Sequence, residues 1–358
     1  MSGPSTESYL VDAEALKRVV SETFSRIGSD ASESQKMAHY LVEANLAGHD
    51  SHGVIRVSYY VGYVQRGLVT PNRHAGVVAQ TDSLISIDGG QGFGQVIGEE
   101  SMGMAIRAAK RSGVCAMAIR NSGHLGRIGD WPLMATAAGC VSLHFVNTSG
   151  FGLLVAPFGG IDRRLSANPI AAGVPRRDGP PIILDISTAS VAEGKLKVAR
   201  NRGDRAPQGS IIDNQGRPTT DPNTFYADPP GAILPFGAHK GYGLGVIAEL
   251  LAGAVAGSGC SREGVDRLIN GMLTIVIDPS RLPREFGFDD EVENFVAFLK
   301  SSRRVDAERA ILLPGEIEAL NREKRLAEGI PLDGQTRAAL LRTGEEVGVP
   351  CGTLALLG

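Results

Sequence analysis

Cysteine is scarce in this 358-residue chain: Cys115, Cys140, Cys260 and Cys351 stand singly, with no C-x-x-C pair. That spacing excludes a disulfide framework and predicts reduced thiols in the cytoplasm. An excess of positive charge is also missing. With a net charge of −3 the chain has no electrostatic reason to bind nucleic acid. Long apolar runs are absent as well. The most apolar stretch, Gly241 to Gly257, contains Glu249 and is short for a membrane span, so a buried helix is expected there. The N-terminal stretch has no basic segment followed by an apolar run, so neither a secretory signal nor an anchor is expected. No H-E-x-x-H occurs, no serine sits in G-x-S-x-G, and the histidines form no ligand-like cluster. Zinc chemistry and serine hydrolysis therefore lack their usual local signatures, and no metal is expected.

What is present reads as an α/β protein with two lobes, since the length exceeds the size at which one core keeps growing. Leu16, Val19, Val20, Phe24 and Ile27 recur at helical spacing behind Asp12. A second helix is expected from Asp30, where Asp30 and Glu33 have capping-box spacing, to Gly48. The segment His49-Asp50-Ser51-His52-Gly53 then falls just past a helix end, a place that can present side chains to a cleft. From Leu84 onward short apolar runs alternate with helical stretches. Strands are expected at 83–88, 114–120, 141–147, 182–186 and 273–278, with helices at 96–111, after Asp130 and from His239. From Val292 the reading is helical again, including Glu316 to Glu328 closed by Gly329 and Pro331.

Gly89-Gly90-Gln91-Gly92-Phe93-Gly94-Gln95-Val96-Ile97-Gly98 lies between a strand and a helix, where glycines can hold a pyrophosphate. Its spacing is G-x-G-x-x-x-G, and the next strand ends in Arg120-Asn121 rather than an acidic residue for a ribose. The dinucleotide fingerprint is thus incomplete, and a structural turn is expected.

Polar residues gather instead in other glycine-rich loops. Ala47-Gly48-His49-Asp50-Ser51-His52-Gly53, Asn121-Ser122-Gly123-His124-Leu125-Gly126-Arg127-Ile128-Gly129, Ala156-Pro157-Phe158-Gly159-Gly160, Pro218-Thr219-Thr220 and His239-Lys240-Gly241-Tyr242-Gly243 resemble the type-2 malate/L-lactate dehydrogenase family. The resemblance continues through Leu313-Pro314-Gly315-Glu316 and Gly329-Ile330-Pro331-Leu332-Asp333, and is nearest to its hydroxycarboxylate dehydrogenase B branch. It implies a non-Rossmann, mixed-sheet nucleotide domain at 76–290, beside a helical lobe made from 1–75 and 291–358, in a homodimer. It also implies NAD(P)H-dependent interconversion of a small 2-oxo acid and its 2-hydroxy acid.

The same resemblance assigns roles. His52 is the expected proton donor, with Ser51 and Lys195 tuning or relaying its proton, and His124 is the second candidate. Reduction needs a group that can donate a proton near neutral pH, which suits histidine. Arg56 is expected to hold the substrate carboxylate through two parallel N–H donors, a surface ion pair being the alternative. Asn168 and the backbone near Glu193-Gly194 complete the expected substrate pocket. The chain departs from many relatives here, reading Ser166-Ala167-Asn168-Pro169 for Gly-Thr-Asn-Pro. Cofactor contacts are expected from His124, Leu125, Gly126, Arg127 and Ile128, from Asp185, Ile186 and Ser187, from His239 and Lys240, and from Pro314, Gly315 and Glu316. NAD is favoured over NADP because no arginine cluster is evident for a 2′-phosphate. A cyclic 2-imino acid reductase is the alternative activity, although Lys195 stands where that branch carries aspartate. A non-catalytic ligand-binding protein is the other.

Overall fold

A computed structural model describes residues 8–358 other than Phe151, Arg284 and Phe286. The chain begins with β1 (Ser8–Val11), α1 (Ala13–Arg26) and α2 (Ala31–Leu46). Asp12 caps α1 by accepting from Ala15 N, and Asp30 caps α2 by accepting from Glu33 N. The second half of the expected capping box does not form. Glu33 turns its carboxylate to Ser29 Oγ and Asn72 N instead, tying the helix start to a distant turn.

After α3 (Val57–Gln65) the elements of the large sheet and its covering helices follow: β2 (Gly76–Gln80), β3 (Leu84–Asp88), α4 (Gly94–Ser112), β4 (Val114–Ser122), α5 (Asp130–Ala137), β5 (Val141–Ser149), β6 (Ile170–Val174) and β7 (Ile182–Ile186). Next come α6 (Glu193–Arg202), the short β8 (Ile211–Ile212), β9 (Pro218–Thr219), α7 (Pro222–Phe225) and β10 (Ala232–Ile233), then α8 (His239–Glu249) and β11 (Ile269–Ile277). The large sheet runs β2-β3-β4-β11-β5-β6-β7. Only β3 and β4 pair in parallel among these neighbours, so the sheet is mixed and lacks the doubly wound order of a Rossmann domain.

The chain closes with α9 (Phe288–Lys300), α10 (Glu316–Glu328), β12 (Ile330–Asp333), α11 (Gly334–Val347) and α12 (Cys351–Leu354). Helix does not continue from Val292 to α10 as expected, because residues 301–315 form turns and extended chain. β12 pairs antiparallel with β1, joining the two chain ends. Leu16, Val19, Phe24, Met37 and Leu41 share one core with Ile330, Leu332, Leu340 and Leu357, so the helical lobe is built from both termini. A second core fills the space between α4, α5 and the sheet around Met102, Met117 and Trp131.

The apolar stretch after His239 corrects the expectation of a buried helix. α8 continues into a π-helical segment, Leu250–Val255, and its Gly245, Ala248 and Ala252 face is buried. Leu244, Ile247, Leu250 and Val255 remain exposed, Val255 at 65%. Among the described residues no helix is long and apolar enough to cross a membrane.

Candidate active site

The segment after α2 owes its shape to two glycines. Gly48 has φ +89°, a left-handed conformation that suits the residue after a helix end. Gly53 lies so close to Asn45 that an added Cβ would stand 2.1 Å from its Oδ1, an atom that accepts from Val54 N. Asn45 and Arg325 together hold the Asp50 carboxylate. Asp50 is thus committed to structure, and Ser51 and His52 are left facing the cleft.

Ser51 Oγ lies 2.9 Å from His52 Nδ1, and Arg56 Nε donates to Ser51 O at 2.6 Å. The Arg56 side chain makes no ion pair and no other hydrogen bond among the described residues, so its two terminal nitrogens are uncommitted there; its guanidinium lies 5.7 Å from the Tyr59 ring centroid. The alternative of a surface ion pair is therefore not what the geometry gives. The His52 ring stacks on that of His124 with centroids 5.5 Å apart and planes 22° from parallel. Both rings are largely surrounded by protein and remain only partly exposed. Burial, reinforced by Arg56, drives His52 down to about 3 and His124 well below the usual imidazole range, so both are neutral at neutral pH.

The strand β7 gathers the remaining segments. Gly129 N donates to Asp185 Oδ2 at 2.7 Å, bringing the loop 123–129 to the strand. Burial raises the Asp185 carboxyl, opposed by His49 and by this amide. Ile183 N bonds Pro314 O at 2.9 Å, which seats the Pro314-Gly315-Glu316 turn on the outer edge of β7. Just beyond the strand, Thr188 O accepts from Phe236 N, placing the start of α8 with His239 and Lys240 alongside Ser187. Ser187 Oγ and Thr188 N both bond Ala167 O, drawing in the 166–169 loop. From the other lobe, His49 Nε2 lies 3.3 Å from Glu318 Oε1, and a Cβ on Gly194 would be 3.6 Å from Ser51 Cβ.

Some expected contributors are otherwise engaged. Arg127 is 7% exposed and paired with Asp130, so it is no free cation. Asn168 is fully buried, its amide donating to Gly245 O at 3.0 Å and Glu249 Oε2 at 2.7 Å, which keeps it out of the His52 cluster. Glu193 accepts from Tyr226 Oη at 2.7 Å, and Glu316 accepts from Lys300 and Leu313 N. Lys195 stands exposed in the first turn of α6 with no ion pair among the described residues.

Sequence reading did not single out Tyr60, Gln95 or Asn270. Tyr60 Oη lies 2.7 Å from His124 Nδ1 and accepts from Gln95 Nε2 at 3.1 Å. Asn270 on β11 accepts from Leu125 N at 2.8 Å, anchoring the residue next to His124 to the sheet. A signal for Tyr60 existed: His52, Arg56 and Tyr60 recur every fourth residue, the spacing of one helical face. Gln95 and Asn270 carry no such signal, being distant in sequence from the residues they support.

Residues 11–341 match the family model for malate/L-lactate dehydrogenase, which makes the protein an oxidoreductase of hydroxy acids. The chain belongs to the malate/L-lactate dehydrogenase family. It is 38% identical to hydroxycarboxylate dehydrogenase B of Escherichia coli (strain K12) over 351 residues, 96% of each chain. An E. coli protein of solved structure, provisionally assigned as a malate/lactate dehydrogenase, superposes with a TM-score of 0.93 at 37% identity, covering 98% of both chains. The delta1-piperideine-2-carboxylate reductase of Pseudomonas syringae pvar. tomato shares the fold at a TM-score of 0.81 and 30% identity, covering 94% of this chain and 99% of its own. The family's dehydrogenase activity is interconversion of 2-oxo and 2-hydroxy acids with a nicotinamide cofactor. The chain's own residues fit such a cofactor: His239 and Lys240 are exposed and, among the described residues, without ion pairs at the electropositive N-terminus of α8, where a pyrophosphate is favoured.

Proposed function

We propose that the enzyme binds its 2-oxo acid through Arg56 and that His52, neutral in the free enzyme, takes up a proton once the substrate carboxylate offsets the Arg56 charge and passes it to the C2 oxygen, with the His52–His124 stack forming one wall of the reaction site. The observation that carries this reading is the Arg56 guanidinium, held among the described residues by Nε alone, with its two terminal nitrogens uncommitted beside two neutral imidazoles. A carboxylate seated on that fork brings its C2 oxygen toward the histidines. The nicotinamide, when bound, supplies hydride to C2. Ser51 orients the His52 ring through Nδ1, and Lys195, one residue beyond Gly194, whose backbone lies close to Ser51, completes the proposed proton path. Asn168 supports the pocket from behind, through the 166–169 loop, rather than by touching substrate.

The cofactor in this reading is NAD rather than NADP, held by the 124–128 loop, Asp185 to Ser187, His239-Lys240 and the Pro314-Gly315-Glu316 turn. All four segments meet at β7, which supports one continuous nucleotide site. Small monocarboxylic, dicarboxylic and aromatic 2-oxo acids are all candidate substrates, since one fork serves their shared oxo-acid end. A homodimer is part of the reading, supported by the exposed apolar face of Leu244, Ile247, Leu250 and Val255. Four unpaired cysteines suit a reducing cytoplasm.

Arg56→Lys tests the central assignment. It keeps the charge and loses the fork, so kcat/KM for 2-oxo acids is expected to fall about tenfold or more. NADH affinity by fluorescence titration stays essentially unchanged. Full kcat/KM in the variant, or a loss confined to NADH binding, overturns the carboxylate clamp.

A further inference from the structure

The glycine-rich stretch before α4 holds no complete nucleotide fingerprint, yet it is built to very close tolerance. A Cβ on Gly94 would stand 2.1 Å from the His124 carbonyl oxygen, and one on Gly123 would stand 2.6 Å from the Gly92 carbonyl oxygen. A Cβ on Gly98 would meet the Trp131 ring at 2.4 Å. Without these side chains the first turn of α4 lies directly on the loop that carries His124. That turn delivers Gln95, which is 2% exposed, into the space behind the imidazole.

Gln95 Nε2 donates to Tyr60 Oη at 3.1 Å, and Tyr60 Oη lies 2.7 Å from His124 Nδ1. A phenol oxygen already accepting one bond directs its own O–H to the remaining partner. Burial raises the Tyr60 phenol to about 12, so that hydrogen is retained at neutral pH. Gln95 Oε1 is buried and accepts nothing among the described residues, so the amide is held by its donor side alone. Gly126 borders the same amide, where a Cβ would come within 3.0 Å of Nε2.

We infer that Gln95 and Tyr60 are positioning residues that fix His124 as the Nε2–H tautomer, making it a neutral hydrogen-bond donor on the side of the ring away from Tyr60. The chain of donation runs from Gln95 through Tyr60 to Nδ1 and leaves Nε2 with its hydrogen. A neutral imidazole of this kind polarises a carbonyl without adding a second cation beside Arg56, as in the well-known neutral histidine of triosephosphate isomerase. His124 then orients and polarises the oxo group while the stacked His52 handles the proton. This division rests on the hydroxy-acid reading above; the tautomer itself does not.

The test uses the full-length enzyme labelled with ¹⁵N-histidine, with His124 resonances identified by their loss in His124→Gln. Wild type is expected to show a pyridine-type Nδ1 and a pyrrole-type Nε2 at His124. Gln95→Glu introduces a carboxylate that only accepts; it reverses the chain, so Nδ1 becomes pyrrole-type. In the same variant kcat for 2-oxo acid reduction falls by about tenfold or more while KM for NADH holds within about twofold. Tyr60→Phe, which keeps the ring and removes the hydroxyl, gives a mixture of tautomers and serves if Gln95→Glu does not fold. A pyrrole-type Nδ1 in wild type, or variants that keep the wild-type pattern, overturns the inference. If the tautomer is as inferred but no 2-oxo acid is reduced, the positioning assignment stands and the hydroxy-acid reading fails.

Discussion

His52 and His124 come from different lobes, yet their imidazoles lie 5.5 Å apart and 22° from parallel, each oriented by its own hydroxyl partner, Ser51 or Tyr60. Two titratable rings brought together by folding share one desolvated space beside Arg56. The proposed proton chemistry rests on how that space divides them.

Removing His52, the proposed proton donor, tests the division directly. His52→Ala is expected to lower kcat for 2-oxo acid reduction by about 10² or more, the scale for losing a general acid, while NADH still binds. His124→Gln is expected to cost less in kcat. Should the larger loss fall on His124→Gln, the two histidines exchange roles.

Acid stability carries the signature of imidazoles buried in neutral form. His52 and the fully buried His144, held between Thr274 and Ser142, are both depressed to about 3 by desolvation, and His124 is shifted the same way. The unfolded chain binds these protons below about pH 6.5 while the folded chain does not, so stability falls as pH drops from 6.5 toward 3. Each such histidine steepens the loss by about 1.4 kcal/mol per pH unit within that window. His144→Gln is expected to remove one proton's worth of slope in urea titrations between pH 6 and pH 4, and an unchanged slope would contradict the neutral burial. Hydroxy-acid oxidation, which needs a free base, should keep kcat/KM nearly flat across the same decline.

The contact between α4 and the His124 loop depends on a missing side chain. Gly94→Ala places a methyl group 2.1 Å from the His124 carbonyl oxygen. Backbone must shift, costing about 1–3 kcal/mol of stability, and kcat should fall with it because the loop moves the imidazole. Thermal unfolding and steady-state kinetics check both. A variant with wild-type Tm and kcat would mean that the loop relaxes freely.

Much of this molecule is legible one segment at a time. Asp12 and Asp30 announce the first two helices, the apolar runs at β3, β4, β5 and β7 announce strands, and the incomplete fingerprint at Gly89–Gly98 correctly denies a Rossmann loop. Local spacing suffices there because caps and strand patterns act between neighbours in the chain. The stretch after His239 could not be resolved that way. Most of its residues are apolar on every side, and only packing against β5 and β11 decides that Ala248 is buried while Ile247 is not.

The sequence by itself offered the residues proposed for the chemistry, His52, His124, Arg56 and the loops that present them, through their family pattern. Tertiary structure decided which of them are free to act. Arg127 is neutralised by Asp130, and Asn168 is locked to Glu249, whereas Arg56 keeps its fork open. Tyr60 bonds His124 from 64 residues away and Gln95 bonds Tyr60 from 35, because hydrogen bonds form wherever folding brings donor and acceptor within about 3 Å, and no periodicity in the chain records such meetings.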